Sequence, residues 1–233
     1  MLEYALTEEK GLSIMLKIVV YDSGFGGELF ADKLEEELAV VETIRVIDWR
    51  NAEAILSSKK TARKAAETSL RPYINEVDLI VFANHLLTLS SLKYFRKKYK
   101  KQAFIGLDLV HPATFMNRKT LILTTKALAR NVKFRKFIAY LKRDAKVISL
   151  DTWPAKIDDG ELTLSEIKAL RDKLLLTNHF RPEEIILACS QFNDIKADLR
   201  QVFGPNTKIH DSFTEAFYNI CKTLKIRAYH KHQ

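Results

Sequence analysis

The sequence predicts an α/β fold of two similar lobes, each a mostly parallel sheet flanked by helices, with a cleft between them. Three observations predict it. Short continuous apolar runs such as Ile18-Val19-Val20 and Leu121-Ile122-Leu123 read as strands buried on both faces. They alternate with stretches whose apolar residues recur at helical spacing, as a parallel sheet covered by helices requires. The same alternation then restarts half-way along the chain.

In order, Leu16 to Tyr21 is a strand followed by a Gly-rich turn, and Glu28 to Val40 is helical through Leu29, Leu34, Leu38 and Ala39. Thr43 to Ile47 is β-branched and reads as a second strand. Ser57 to Ile74 is helical, Asp78 to Phe82 a buried strand, Leu86 to Tyr99 a helix and Phe104 to Leu107 a strand. The second series runs strand Thr120 to Leu123, helix Lys126 to Leu141 and strand Lys146 to Leu150. A loop around Trp153-Pro154 and Asp158-Asp159-Gly160 precedes a helix over Leu164 to Leu176. Strand Glu184 to Ala188, helix Asn193 to Phe203, strand Thr207 to Ile209 and helix Thr214 to Leu224 complete it.

Residues 1–14 read as an extension, with Met15 a natural start before the first strand. The first lobe is expected over 15–110, with 212–233 returning to it, and the second over 111–211. His111-Pro112 marks the junction, since proline disfavours helix in the residue before it. The repetition is one of architecture; the residues themselves do not repeat.

Composition narrows the function classes. The chain has 233 residues, 47% of them hydrophobic, enough for one large core or two modest ones. No apolar run reaches the roughly 18 residues that span a bilayer. Residues 1–14 carry Glu3, Glu8 and Glu9 and no apolar signal-peptide core, so a cytoplasmic protein without a membrane partner is expected. Its cysteines, Cys189 and Cys221, make neither a disulfide framework nor a structural zinc site. Cys221 falls at helical spacing with Phe213, Phe217, Ile220 and Leu224 and reads as core.

The net charge of +9 invites a nucleic-acid reading, and basic residues do cluster at Arg96 to Lys101 and Arg130 to Lys136. Both runs carry apolar residues at helical spacing and resemble no recognition motif. They read as solvated helix faces, giving at most a favourable field for anionic substrates. No nucleic-acid partner is expected. The tail Tyr229-His230-Lys231-His232 is too weak a pattern for a metal site, and no metal is expected.

Chemistry concentrates in three turns. Asp22-Ser23-Gly24-Phe25-Gly26-Gly27 lies where the first strand becomes the first helix. Glycine there permits positive φ and close approach of a ligand, and the helix start offers free N–H groups to an anion. Neither the G-x-G-x-x-G spacing nor a following Gly-Lys-Ser/Thr is present, so this is no nucleotide motif. Ala83-Asn84-His85 and Ala188-Cys189-Ser190-Gln191 sit at two further strand ends, where open α/β sheets bind ligands. A thiol beside a helix N-terminus has a lowered pKa, which makes Cys189 a candidate reactive group as well as a core filler.

Val19 to Gly27 resembles the opening strand and D-S-G-x-G-G turn of the glutamate racemases. Four further segments are similar to that family, in order. Leu79 to His85 resembles its strand leading into Ala-Cys-Asn-Thr, Leu121 to Thr125 its strand ending in Gly-Thr, Ile186 to Gln191 its Leu-Gly-Cys-Thr-His, and Asp211-Ser212 a later Asp-Ser. The resemblance covers nearly the whole chain from Leu16 onward.

It implies an amino-acid racemase acting on a small acidic amino acid such as glutamate, with no cofactor, a homodimeric assembly and a place in cell-wall biogenesis. In that family two cysteines on opposite sides of the substrate move its α-proton without PLP or metal. Carried over, Cys189 is one acid/base, Asp22 is the partner of the other and of the substrate ammonium, and Ser23, Asn84, Thr125, Ser190 and Gln191 contact the substrate. The departures are specific. The family's first cysteine aligns with Asn84, which cannot act as a base, and the residues after it with His85-Leu86. The Thr-His after the second cysteine aligns with Ser190-Gln191, and Ala54-Ile55-Leu56 stands where a Pro-Tyr-Gly segment is expected. His85 is therefore the candidate replacement base, because imidazole titrates near neutrality. The alternatives are a one-thiol carbon-acid enzyme of the decarboxylase kind, in which one acid protonates a carbanion, and a binding homologue without turnover.

Overall fold

The computed structural model describes residues 15–109, 118–141 and 145–226. The extension at 1–14, the His111-Pro112 junction and the histidine-containing tail lie outside the described residues.

The first half runs β1 (Leu16–Asp22), α1 (Gly26–Glu37), β2 (Val41–Ile47), α2 (Ala52–Ser57), α3 (Lys59–Leu70), β3 (Leu79–Phe82), α4 (His85–Lys98) and β4 (Phe104–Gly106). The second runs β5 (Thr120–Thr124), α5 (Lys126–Ala129), α6 (Val132–Tyr140), β6 (Ala145–Ser149), α7 (Trp153–Asp158), α8 (Leu164–Asn178), β7 (Glu184–Leu187), α9 (Lys196–Phe203) and β8 (Lys208–Asp211). The last helix is α10 (Ser212–Leu224).

Two four-stranded sheets result, ordered β2-β1-β3-β4 and β6-β5-β7-β8, and every strand pair in them is parallel. The sheets thus repeat one topology. Alternation along each strand explains the unbroken apolar runs. Ile18 and Val20 enter one core with Phe30, Leu34 and Val81, while Val19 and Tyr21 enter another with Ile80, Phe82 and Phe95 on the opposite face. Leu121 and Leu123 likewise face Trp153 and Phe192, and Ile122 faces Phe134. Helix α10 follows the second sheet in sequence but buries Phe213, Ala216, Phe217 and Ile220 in the first sheet's core, with Phe213 4.7 Å from Phe30. Cys221 packs half-buried against that same core. Leu86 and Leu89 of α4 pack on a core of the second sheet, so the two lobes share apolar contact.

Several local expectations are corrected. The stretch at Trp153 is a short helix, α7, with Pro154 in its first turn, where proline's missing N–H costs nothing. The helix expected over 126–141 is broken, because Asn131 accepts from the N–H groups of Lys133 and Phe134 and starts α6 afresh. Likewise 57–74 does not form one helix: Ser58 and Thr61 make a capping box that separates α2 from α3, and α3 ends at Leu70. None of Gly24, Gly26 and Gly27 has positive φ. They are required by close packing instead. A Cβ on Gly27 would lie 2.6 Å from Asp22 Cβ, and one on Gly26 would fall inside the Ser190 hydroxymethyl group.

Candidate active site

The central strands of the sheets are β1 and β3 in one and β5 and β7 in the other. Their carboxyl ends carry Asp22, Asn84, Thr125 and Cys189, and these four turns face one cleft of about 250 Å³. Strand ends at the middle of parallel sheets leave such a crevice because the following helices diverge to opposite faces. Asp22, Ser23, Asn84 and His85 line it from the first lobe, and Thr125, Cys189, Ser190 and Gln191 from the second. The eight candidate site residues are therefore brought together, while Asp211 and Ser212 lie outside the cleft lining.

Asp22 is 1% exposed and its carboxylate is held from several sides. Oδ1 accepts from Ser23 N–H at 2.6 Å and from Asn84 Nδ2 at 3.0 Å, and Oδ2 from Ser190 Oγ at 3.4 Å. Burial outweighs these bonds and pushes its pKa up to about 7. The Asn84 amide is committed at both ends. Its oxygen caps α4 through Leu87 N–H at 3.0 Å, while its nitrogen donates to Asp22 and, at 3.4 Å, to Ser23 Oγ.

Across the cleft, Cys189 Sγ donates to Gln191 Oε1 at 3.1 Å, and Ser190 Oγ lies 3.2 Å from the same oxygen, so its one proton is shared between Gln191 Oε1 and Asp22 Oδ2. The expectation of a lowered thiol pKa is overturned. Burial raises it to about 12, and the charges of Asp22 and Asp158 add to the rise. The element that follows is only a short 3₁₀ turn, Ser190–Asn193, whose N–H groups do not offset the burial. His85 is 4% exposed, its Nε2 is buried without a hydrogen-bond partner among the described residues, and burial lowers its pKa to about 4. It is a neutral imidazole at pH 7. Thr125 Oγ1 caps α5 through Leu128 N–H at 3.4 Å.

The rest of the lining is apolar and was not foreseen. Ala52 and Leu56 come from α2 and Pro154 from α7. Each had a legible signal: Ala52, Ile55 and Leu56 have helical spacing, and Thr152-Trp153-Pro154 places proline where a helix begins. No group of three or more His, Cys, Asp or Glu side chains that could hold a metal ion occurs among the described residues. Nor is any described helix long and apolar enough to cross a membrane.

No family model matches the chain. It is 25% identical over 209 residues to a glutamate racemase of Pectobacterium atrosepticum, an alignment covering 84% of this chain and 72% of that one. It is 23% identical over 208 residues to a glutamate racemase of Campylobacter concisus, covering 84% and 78%. In sequence the chain is thus similar to glutamate racemases over most of its length. Solved racemases share its fold. The crystal structure of Escherichia coli glutamate racemase in complex with L-glutamate and the activator UDP-MurNAc-Ala matches with a TM-score of 0.77 at 18% identity, over 93% of this chain and 85% of that one. The aspartate racemase of Picrophilus torridus matches with a TM-score of 0.62 at 12% identity, over 92% and 95%. The two-sheet fold is thus shared with these solved racemases.

Proposed function

We propose that the protein is a cofactor-independent amino-acid racemase, interconverting the L and D forms of glutamate or a related acidic amino acid by α-proton transfer. The observation that most supports this is the meeting, in one cleft of a racemase fold, of a thiol from the end of β7 and a carboxyl from the end of β1. In the reaction a base takes the α-proton from one face. The electron pair left behind is spread into the substrate carboxylate, and an acid on the other face returns a proton to the α-carbon. Cys189, protonated at neutral pH, is suited to the acid role in one direction and becomes the base in the other. Neutral donors and helix N–H groups at the strand ends hold the carboxylate.

The first-lobe base is Asp22 rather than His85 or Asn84. A carboxyl with a pKa of about 7 is part-ionised at the working pH, whereas an imidazole at about 4 is a weak base. The Asn84 amide does not titrate and is spent on capping α4 and holding Asp22. The same reading places 15–110 with 212–233 in one lobe and 111–211 in the other, supported by the burial of α10 in the first core. It also goes with a cytoplasmic homodimer that supplies D-glutamate for cell-wall biogenesis.

A second reading is favoured by one fact: among the described residues, Cys189 is the only thiol lining the cleft. A lone thiol is enough for an enzyme that only protonates a carbanion, as a decarboxylase does. Proton NMR with L- and D-glutamate and aspartate in D₂O, followed by chiral analysis, separates these readings. Deuterium at the α-carbon with inversion is the expected result. Exchange with retained configuration moves the assignment to one-thiol chemistry, and no exchange with any of the four overturns the racemase reading.

A further inference from the structure

We propose that Ser190 is a positioning residue whose one hydroxyl proton, turning between Asp22 and Gln191, sets Asp22 and Cys189 in opposite protonation states. This role rests on the reading of Asp22 and Cys189 as the two acid/bases of the proposed reaction. The side chains form a line across the cleft. Ser190 Oγ lies 3.4 Å from Asp22 Oδ2 and 3.2 Å from Gln191 Oε1, and that amide oxygen lies 3.1 Å from Cys189 Sγ. Ser190 is 4% exposed, which leaves these two oxygens as the acceptors its hydroxyl has among the described residues. Oδ1 of Asp22 already accepts from Ser23 N–H and Asn84 Nδ2, so Oδ2, facing Ser190, is the oxygen left to take and return a proton.

A hydroxyl has one proton to give, and an ionised carboxylate accepts it more strongly than a neutral amide oxygen does. With Asp22 ionised, Ser190 therefore donates to Oδ2. Gln191 Oε1 is then left to the Cys189 S–H and holds it as the thiol. When Oδ2 takes the α-proton, it becomes a poor acceptor. The Ser190 O–H turns to Gln191 Oε1 and weakens the hold on S–H, so Cys189 gives its proton to the opposite face of the α-carbon. One C–H bond has broken and one has formed, leaving Asp22 protonated and Cys189 as thiolate. No proton passes through Ser190, whose hydroxyl only reorients. The coupling is reciprocal. In reverse, Cys189 regains a proton, S–H reclaims Oε1, and Ser190 turns back towards an ionised Asp22. The groups that steady the Asp22 charge are neutral: Asn84, Ser23, Ser190 and Gly24. The Asp22 charge also acts on Cys189 directly, as does that of Asp158 from α7, while His85 from α4 is neutral. Removing the Ser190 hydroxyl leaves this direct part in place.

The test uses the whole chain without substrate, so that its outcome stands apart from the racemase assignment. The rate of Cys189 alkylation by iodoacetamide is followed from about pH 5 to 9, by mass spectrometry that resolves the Cys189 peptide from the Cys221 peptide. Below the thiol pKa this rate follows the thiolate and rises about tenfold per pH unit. As Asp22 ionises near pH 7, the wild-type line is expected to drop to a lower parallel line. Asp22→Asn should give a single straight line. Ser190→Ala should narrow the drop by about fivefold, the size of one net hydrogen bond, and Ser190→Thr should restore it. Gln191→Leu deletes the shared acceptor and should narrow the drop as much as Ser190→Ala, with the double variant no narrower than either. A wild-type line without a break, a full drop in Ser190→Ala, or a narrowing that threonine does not reverse overturns the proposal. Should Ser190→Ala fail to fold, a full drop in Gln191→Leu overturns it instead.

Discussion

Ser190 Oγ, at the start of the turn after β7, donates a hydrogen bond to Asp22 Oδ2, at the end of β1, across 3.4 Å. One strand end belongs to the second sheet and the other to the first, so this bond joins the lobes at the cleft. Gly26 makes the approach feasible, since its missing side chain leaves the space that Ser190 fills. The relationship between lobes and the geometry around Asp22 are therefore set by the same few atoms.

Gly26→Ala tests this joint. The added methyl overlaps Ser190, whose backbone is fixed by the turn, so either α1 or the turn must shift. The expected loss is about 1–3 kcal/mol, the usual range for overpacking, together with a fall in turnover. Ser190→Gly in the same chain should recover most of the stability, because it empties the space that the methyl needs. Thermal melts of the single and double variants measure it. A Gly26→Ala protein as stable and active as wild type would mean that the lobes are not held together here.

Asp22 makes stability depend on pH. Its pKa rises from 3.8 to about 7 through burial, so the folded protein holds this proton more tightly than the unfolded chain does. The contribution is full below the lower value and is lost as the pH rises to about 7. Asp22→Asn keeps the shape and can still accept from Asn84 and Ser23 while its nitrogen faces Ser190. Relative to wild type it should gain stability above pH 7, by an amount on the order of 4 kcal/mol at most, and little at pH 4. Urea unfolding at pH 4, 6 and 8 reads the difference. Racemisation should be lost at every pH.

How far the sequence carried depended on whether the signal was local. Strands such as Ile18-Val19-Val20 were legible because burial on both faces leaves no room for polar residues. Helix α7 was missed, because six residues from Trp153 to Asp158 carry too few turns for periodicity and leave Pro154 in the first turn as the available signal. Apolar spacing runs on through Leu128, Phe134, Phe137 and Leu141, and the break at Asn131 is made by a side-chain cap that periodicity does not register. Asp22, Asn84 and Cys189 were found because each lies in a turn at a strand end, and Thr125 was found only through the family resemblance. The state of Cys189 was misjudged: its place before a turn is written in the sequence, but the burial that raises its pKa comes from distant segments.

Asp48 is expected to matter to the cleft without touching it. Its Oδ2 accepts from Tyr21 Oη at 3.0 Å and Ser69 Oγ at 2.6 Å, and Asn51 Nδ2 donates to both of its oxygens. It thereby ties β1 and α3 to the turn that leads into α2, which carries Ala52 and Leu56 to the cleft wall. Asp48→Ala leaves the fully buried Tyr21 hydroxyl without its acceptor and should cost about 2–4 kcal/mol. With α2 loosened, KM should rise more than kcat falls. Tyr21→Phe removes only one donor and should cost about 1 kcal/mol, leaving KM near the wild-type value.

His85 decides how the first lobe works. Its imidazole is buried, lacks a partner at Nε2 among the described residues and has a pKa lowered from 6.5 to about 4. The unfolded chain therefore takes up a proton that the folded protein refuses, and stability present above the higher value is lost as the pH falls towards the lower. His85→Leu removes both the orphaned nitrogen and this acid sensitivity. At pH 7 it should be as stable as wild type or about 1 kcal/mol more so, and its stability should fall less between pH 6.5 and 4. With Asp22 as the first-lobe base, His85→Leu retains inversion of glutamate. If instead the variant exchanges the α-proton while preserving configuration, inversion depends on His85, and Asp22 is left to hold the substrate ammonium. Chiral analysis of the deuterated product at pH 7.5 distinguishes the two, because the fold at that pH does not depend on the charge of His85.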